Sequence, residues 1–373
     1  MRGLVWQVAV LAVVALAATY AFSNLQEAIA ARGMSTGFAF LDDRAGFTIG
    51  ESLIPFSSQS TLGKAFIVGI LNSIKVSIGS IVLATLIGVL LGIARVSPNL
   101  IVARLSSLYV EAFRNTPQLV QIAFWYTVVT LAPAARNAVQ PLPGFFISNR
   151  GIQMPWLAGD AGLVIFALLA TGLCAALAFY RWRRRPSLGR RMPASATVAI
   201  SALLVILPPL VGWLLAGMPS TFEMPKLRGF NFVGGLALSA EFVALTLGLS
   251  LYIAAFVAEI VRSGIQSIAQ GQLEAAQALG LSKRTVYLRI VLPQALRVMV
   301  PPLAAQYISL IKNSSLGIAI GYPELFNISN TVTTVTGRAV ECTAIMMGCY
   351  LLISLVIGLL MNLYNRTVQL RER

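Results

Sequence analysis

Histidine does not occur anywhere in the 373 residues. Its absence removes Ser-His-Asp and Cys-His nucleophilic sites and every His-ligated metal site. Cysteine is nearly as scarce: Cys174, Cys342 and Cys349 all fall in apolar runs with no CxxC spacing, so they read as small apolar side chains of helices. Charged residues make up only 11% of the chain, against about 25% in a soluble domain. Acids are the rarer sign, 13 against 28 Lys and Arg, for a net charge of +15. There is no GxxxxGK(S/T) phosphate loop; Gly63-Lys64 is followed by Ala65 and lacks the earlier glycine, so the chain has no visible means of holding ATP.

What fills the chain instead is apolar. Hydrophobic residues reach 57% with a mean hydropathy of +0.80, the composition of a polytopic membrane protein. A helix needs about 20 mostly apolar residues to cross the hydrocarbon layer. Eight stretches come close: 4–22, 74–94, 119–132, 162–180, 198–216, 236–261, 298–320 and 342–363. Isolated strands are too costly in lipid, so the expected fold is all-α with about eight spans. The third stretch is short and bounded by Pro117 and Pro133, and is expected to begin before Leu119. The first could be a signal peptide ending near Ala28-Ile29-Ala30. Its apolar run exceeds the usual h-region of about 7–15 residues, which favours a retained span.

Orientation follows from Lys and Arg. With the N-terminus inside, the inner segments (the first residues, 95–117, 181–191, the stretch around 274–297, and the tail) hold eighteen of them. The outer side holds eight: Arg32, Arg44, Lys64, Arg136, Arg150, Lys226, Arg228 and Arg338. Both termini are therefore expected inside. The run RWRRRPSLGRR is read as a topology determinant and not as a nucleic-acid site.

One inner loop carries a motif. Glu274-Ala275-Ala276-Gln277-Ala278-Leu279-Gly280 is followed after nine residues by Ile290-Val291-Leu292-Pro293. The Ala-rich part forms a short helix, Gly280 releases the chain into a turn, and Ser282 is placed to cap a second helix. That helix presents Val286 and Ile290 on one side, with Lys283, Arg284 and Arg289 among its polar positions, and Pro293 is expected to stop it before the next span. A helix–Gly–helix with a small-residue face, lying across the inner mouth, is a docking surface.

This stretch resembles the EAA loop of permease subunits of binding-protein-dependent ABC importers. The resemblance covers Glu274, Ala275, Ala276, Gly280, Ile290, Leu292 and Pro293. It implies a type I importer permease whose loop seats in a separate ATPase subunit. This chain then needs no cofactor, and ATP and Mg are bound by the partner ATPase. Further stretches are similar to polar amino acid permeases: Tyr109-Val110-Glu111-Ala112-Phe113-Arg114-Asn115-Thr116-Pro117-Gln118-Leu119-Val120-Gln121, Ala258-Glu259-Ile260-Val261-Arg262-Ser263-Gly264-Ile265, and Lys312-Asn313-Ser314-Ser315-Leu316. The last is often KDTSL in the family, so Asn313 departs from it. The extra first span, the segment 38–47 and the insert 134–235 resemble the larger permease subunits of general L-amino-acid, or glutamate/glutamine/aspartate/asparagine, systems. The implied partners are an ABC ATPase, a second permease subunit forming a heterodimer, a periplasmic amino-acid-binding protein and the bacterial inner membrane.

The chain divides on this reading into residues 1–63 (first span and periplasmic segment), 64–133 (core, spans two and three), 134–235 (insert, spans four and five) and 236–373 (core, spans six to eight, with the coupling loop 264–297). Transport sites tend to lie where a helix is broken near the midplane. Lys312, Asn313, Ser314 and Ser315 fit a substrate path, with Lys312 meeting a carboxylate; the plainer alternative is a kink with Lys312 snorkelling or paired with Glu241. Glu259 with Arg262, and Glu111 with Arg114, are each three apart and read as gating or structural pairs. Lys75 borders its span, where snorkelling suffices. A self-sufficient secondary transporter or channel is the alternative function, but the spans hold few coupling residues. An intramembrane enzyme lacks its Ser–Lys or paired-Asp arrangement.

Overall fold

The computed structural model describes residues 2–31, 37–157, 210–211, 214 and 222–368. Its first helix, α1 (Arg2–Ala31), runs unbroken for 30 residues, past the apolar stretch that announced it. α2 (Leu62–Arg95) begins twelve residues before its expected start, because the Thr61 side chain accepts the Lys64 N–H at 3.2 Å and caps it. Lys75 is therefore inside a helix, not at the border of one.

A stripe of small buried residues, Ser73, Ser77, Ser80, Ala84, Gly88 and Gly92, recurs every three or four positions along α2. Such a face lets two helices approach closely where lipid supplies no hydrophobic drive. The partner is α5 (Ala240–Gln266). A Cβ on Gly88 would lie 2.5 Å from Val257 Cβ, and one on Gly92 2.6 Å from Val261 Cβ. The opposite face of α2 leaves Leu86 and Leu90 exposed for lipid or a partner.

Between these two helices the inner segment 95–117 is not a plain loop. It contains α3 (Leu100–Asn115), capped by Asn99. Its arginines disguised an amphipathic helix as a loop. Thr116-Pro117 breaks the winding, and α4 (Gln118–Thr130) starts one residue before Leu119. At 13 residues α4 covers only about 20 Å.

After α5 come α6 (Gln270–Ala278) and α7 (Lys283–Val286), then a π turn, Tyr287–Val291. α8 (Leu292–Asn313) follows directly and passes into 3-10 winding over Ser314–Ile320. Pro293 thus does not stop the chain as expected. It sits in the first turn of α8, and the π turn before it bonds Leu292 N–H to Tyr287 O, five residues back. The wider turn moves aside the carbonyl that a proline ring would strike. α9 (Leu325–Thr336), unforeseen in the sequence, packs on α2 and on α10 (Ala339–Val368).

Among the described residues four helical stretches are long and apolar enough to cross a membrane: Leu62–Arg95, Ala240–Gln266, Lys283–Ile320 and Ala339–Leu359. The spans expected at 162–180 and 198–216 lie outside the described residues, but for 210–211 and 214. Among the described residues the chain is helical with one addition, short strands where the insert leaves and rejoins the helices. β1 (Val139–Leu142), β2 (Phe145–Ser148), β3 (Gly151–Met154) and β4 (Trp156–Leu157) precede its middle; β5 (Phe222–Glu223), β6 (Lys226–Arg228), β7 (Asn231–Val233) and β8 (Leu236–Leu238) follow it. All pairs are antiparallel, in the order β1-β2-β3-β8, with β4-β5 and β6-β7 apart.

Candidate functional site

The loop 264–297 is built as its residues dictate. α6 ends in a Schellman motif: Leu281 N–H bonds Ala276 O at 3.2 Å and Gly280 N–H bonds Gln277 O at 2.9 Å. Gly280 takes φ +69°, and a Cβ there would meet nothing within 4 Å. The position needs glycine for its backbone, not for space. Ser282 caps α7 through Thr285 N–H at 3.3 Å. Ala276, Val286 and Val291 close into a small core with Leu273, Ile268 and Ile290 around them.

What this core leaves outside is informative. Glu274, Ala275, Gly280 and Leu292 are exposed, Pro293 is half-buried, and Leu279 is 78% exposed, as Tyr287 and Leu288 are exposed too. Gln294 Nε2 donates to Gln272 Oε1 at 2.7 Å, tying α6 to the start of α8. The loop is therefore a braced platform carrying an exposed apolar surface.

At the other end of α8 the helix reaches Asn313, whose Nδ2 donates to Gln118 Oε1 at 2.7 Å. Two breaks thus meet, one at the start of α4 and one at the end of α8. Gln118 Nε2 is buried without a partner. Ser314 and Ser315 donate to Ile311 O and Lys312 O, the ordinary satisfaction of hydroxyls at a helix end. Lys312 is exposed, and no acid pairs with it among the described residues; the alternative partner Glu241 does not reach it.

The charged pairs rearrange. Arg262 pairs with Glu259, as the spacing suggested, but Arg95 from α2 joins the same carboxylate, and Arg114 from α3 stands 4.0 Å away. Arg95 Nε also donates to Ser107 Oγ at 3.3 Å. Three helices converge on one acid. Arg114 does not pair with Glu111: its guanidinium lies 5.2 Å over the Phe256 ring, and Glu111 lines an open groove with Arg104 and Ser107. An i,i+3 pair is worth only a few tenths of a kcal/mol, which a carboxylate and a ring together outbid.

A second polar centre gave no motif in the sequence. Lys75 pairs with Glu51, the two side chains only 10% and 12% exposed, and lies 4.5 Å over the Phe242 ring. Glu51 also accepts from Ser239 Oγ, and its carbonyl accepts from Asn72 Nδ2 at 2.8 Å. Asn72 bonds Pro323 O at 2.9 Å, next to Glu324, which is fully buried and caps α9 through Phe326 and Asn327 N–H. Tyr350 Oη donates to the same carboxyl at 2.8 Å. Burial pushes the Glu324 carboxyl up to about 7, against the lowering effect of these donors. The available signal was Lys75 itself, since a cation inside an apolar helix calls for a partner.

Among known proteins, residues 172–371 match the family described as binding-protein-dependent transport system inner membrane component. The putative amino-acid ABC transporter permease protein YhdX of Escherichia coli is 42% identical over 99% of this chain and 95% of its own length. The general L-amino acid transport system permease protein AapQ of Rhizobium johnstonii is 42% identical over 92% of this chain and 86% of its own. The glutamate/glutamine/aspartate/asparagine transport system permease protein BztB of Rhodobacter capsulatus is 37% identical over 100% of this chain and 95% of its own. With its apolar spans and its EAA-type loop, this chain belongs to the inner membrane components of binding-protein-dependent transport systems.

Proposed function

We propose that this chain is one of two paired permease subunits that carry polar L-amino acids into a bacterial cell. A soluble binding protein delivers the amino acid outside, and a separate ATPase, holding ATP and Mg, drives the switch from inside. The substrate class rests on what AapQ and BztB are named for. Both termini inside is the reading favoured by the Lys and Arg count, and a heterodimer is the expected pairing.

The observation that carries the coupling is the braced loop with its exposed Leu279, Tyr287 and Leu288. A push on α6 passes through the Gln272–Gln294 bond and the core of Ala276, Val286 and Val291 into α8. α8 is a helix of 22 residues, about 33 Å along its length, with Pro301 and Pro302 inside it, and its far end is the Asn313–Gln118 contact. A tilt of that helix separates or closes the two helix breaks, where a substrate carboxylate would meet Lys312. The Arg95–Glu259–Arg114 junction holds α2, α3 and α5 together on the inner side during that movement.

The test is uptake of labelled glutamate, glutamine, aspartate, leucine and arginine in cells with and without the gene, with unlabelled competitors. Loss across several supports a broad importer, and loss of the acidic amino acids and their amides narrows it. Unchanged uptake of all five removes the substrate assignment.

A further inference from the structure

The insert strands carry a feature that lies apart from the sites described above. Asn149 N–H bonds Pro133 O at 2.9 Å, so the β2–β3 turn sits at the outgoing end of α4, where Leu131 is 80% exposed. The β6–β7 hairpin reaches the same level. Its tip residue, Phe230, is 73% exposed and lies 4.2 Å under the Arg136 guanidinium, three residues beyond Pro133. Phe232 packs on Phe146 at 4.7 Å and fixes the hairpin against the four-stranded sheet.

Four basic residues, Arg136, Arg150, Lys226 and Arg228, are exposed on this unit, against the single acid Glu223 among its described residues. None of the four has an acidic partner there. On the reading with both termini inside, on which this inference rests, these four cations lie on a translocated segment and work against the charge rule, so keeping them there needs a reason. An exposed ring with cations beside it, level with the end of the short apolar helix α4, suits the headgroup layer: the ring sits among glycerol and upper acyl groups and the cations meet phosphates.

We propose that the β6–β7 hairpin is a foot on the membrane surface, with Phe230 and Leu131 entering the headgroup layer and Arg136, Arg150, Lys226 and Arg228 holding the phosphates of anionic phospholipids. The end of α4 leads directly into the hairpin's support, which makes the membrane its nearest occupant. The inference is independent of which solute is carried.

A nitroxide at Phe230→Cys tests it, placed in the full chain with Cys174, Cys342 and Cys349 replaced by Ala, co-purified with its partner subunits. Collision with oxygen and with a water-soluble nickel chelate is then measured in nanodiscs of phosphatidylcholine, with and without phosphatidylglycerol. Oxygen collisions should exceed those with nickel, and the excess should grow with phosphatidylglycerol; Arg136→Gln with Arg228→Gln should abolish that growth. Nickel collisions in excess would put the tip in water and overturn the proposal. A label shielded from both would mean that a protein covers the tip, which overturns it equally. An oxygen excess indifferent to phosphatidylglycerol would overturn the phosphate contact.

Discussion

Glu324 holds a carboxyl at about 7 where 4.5 is ordinary, because burial outweighs three hydrogen-bond donors. Between those two values the folded chain keeps a proton that the unfolded chain releases. Its stabilising contribution is full below 4.5 and is lost as pH rises through about 7. Thermal unfolding of the detergent-solubilised protein should shift to higher temperature on acidification through this window, and Glu324→Gln should flatten that part of the response. An identical slope in the variant would remove Glu324 from the account. Gly280 makes a different demand. With φ +69° and open space around the missing Cβ, valine should strain the turn by about 1–2 kcal/mol, while asparagine tolerates it. Gly280→Val should lose ATPase co-purification and uptake with membrane insertion retained; Gly280→Asn should keep most of both. Equal loss in the two would point to the surface and not the turn.

The elements legible in the sequence were those whose cause is local. α2, α5 and α10 follow from apolar length, and the loop from Ala-rich helix, glycine and capping serine. α3 was missed because its arginines suit an interface as well as a loop. α9 was missed because twelve residues rich in Thr and Asn have no span-like length, and their burial depends on α2 and α10. Pro293 shows a local rule overtaken: the chain keeps its helix by widening one turn. Pro293→Ala should let Tyr287–Val291 tighten to α winding and rotate the loop by about 100° relative to α8. The expected outcome is ATP hydrolysis by the assembled complex that continues while uptake falls. An unchanged ratio of uptake to hydrolysis would show that the widened turn carries no geometric information.

Across the whole molecule the polar centres lie where separate elements meet: Glu259 joins α2, α3 and α5, and Glu51 joins the segment before α2 to the start of α5. Spacing gave only the Glu259–Arg262 part of the first centre, since Arg95 and Glu259 are 164 residues apart. The strands were illegible because each is only two to four residues long, and two of their pairings, β3–β8 and β4–β5, form across the insert. One of those pairings has a practical side. β3 and β8 pair Met154 with Leu236 and Ile152 with Leu238, so the chain returns to where it departed. The β3–β8 pair closes the chain at the base of the insert, the way a branch can be pruned at its collar. Replacing the residues between Met154 and Leu236 with a two-residue Asn-Gly turn should leave a shorter chain whose α2–α5 and α8 packing is intact. That pruned chain would assemble with its partners if the insert is an accessory, and would fail to accumulate if the insert is needed to thread the remaining spans.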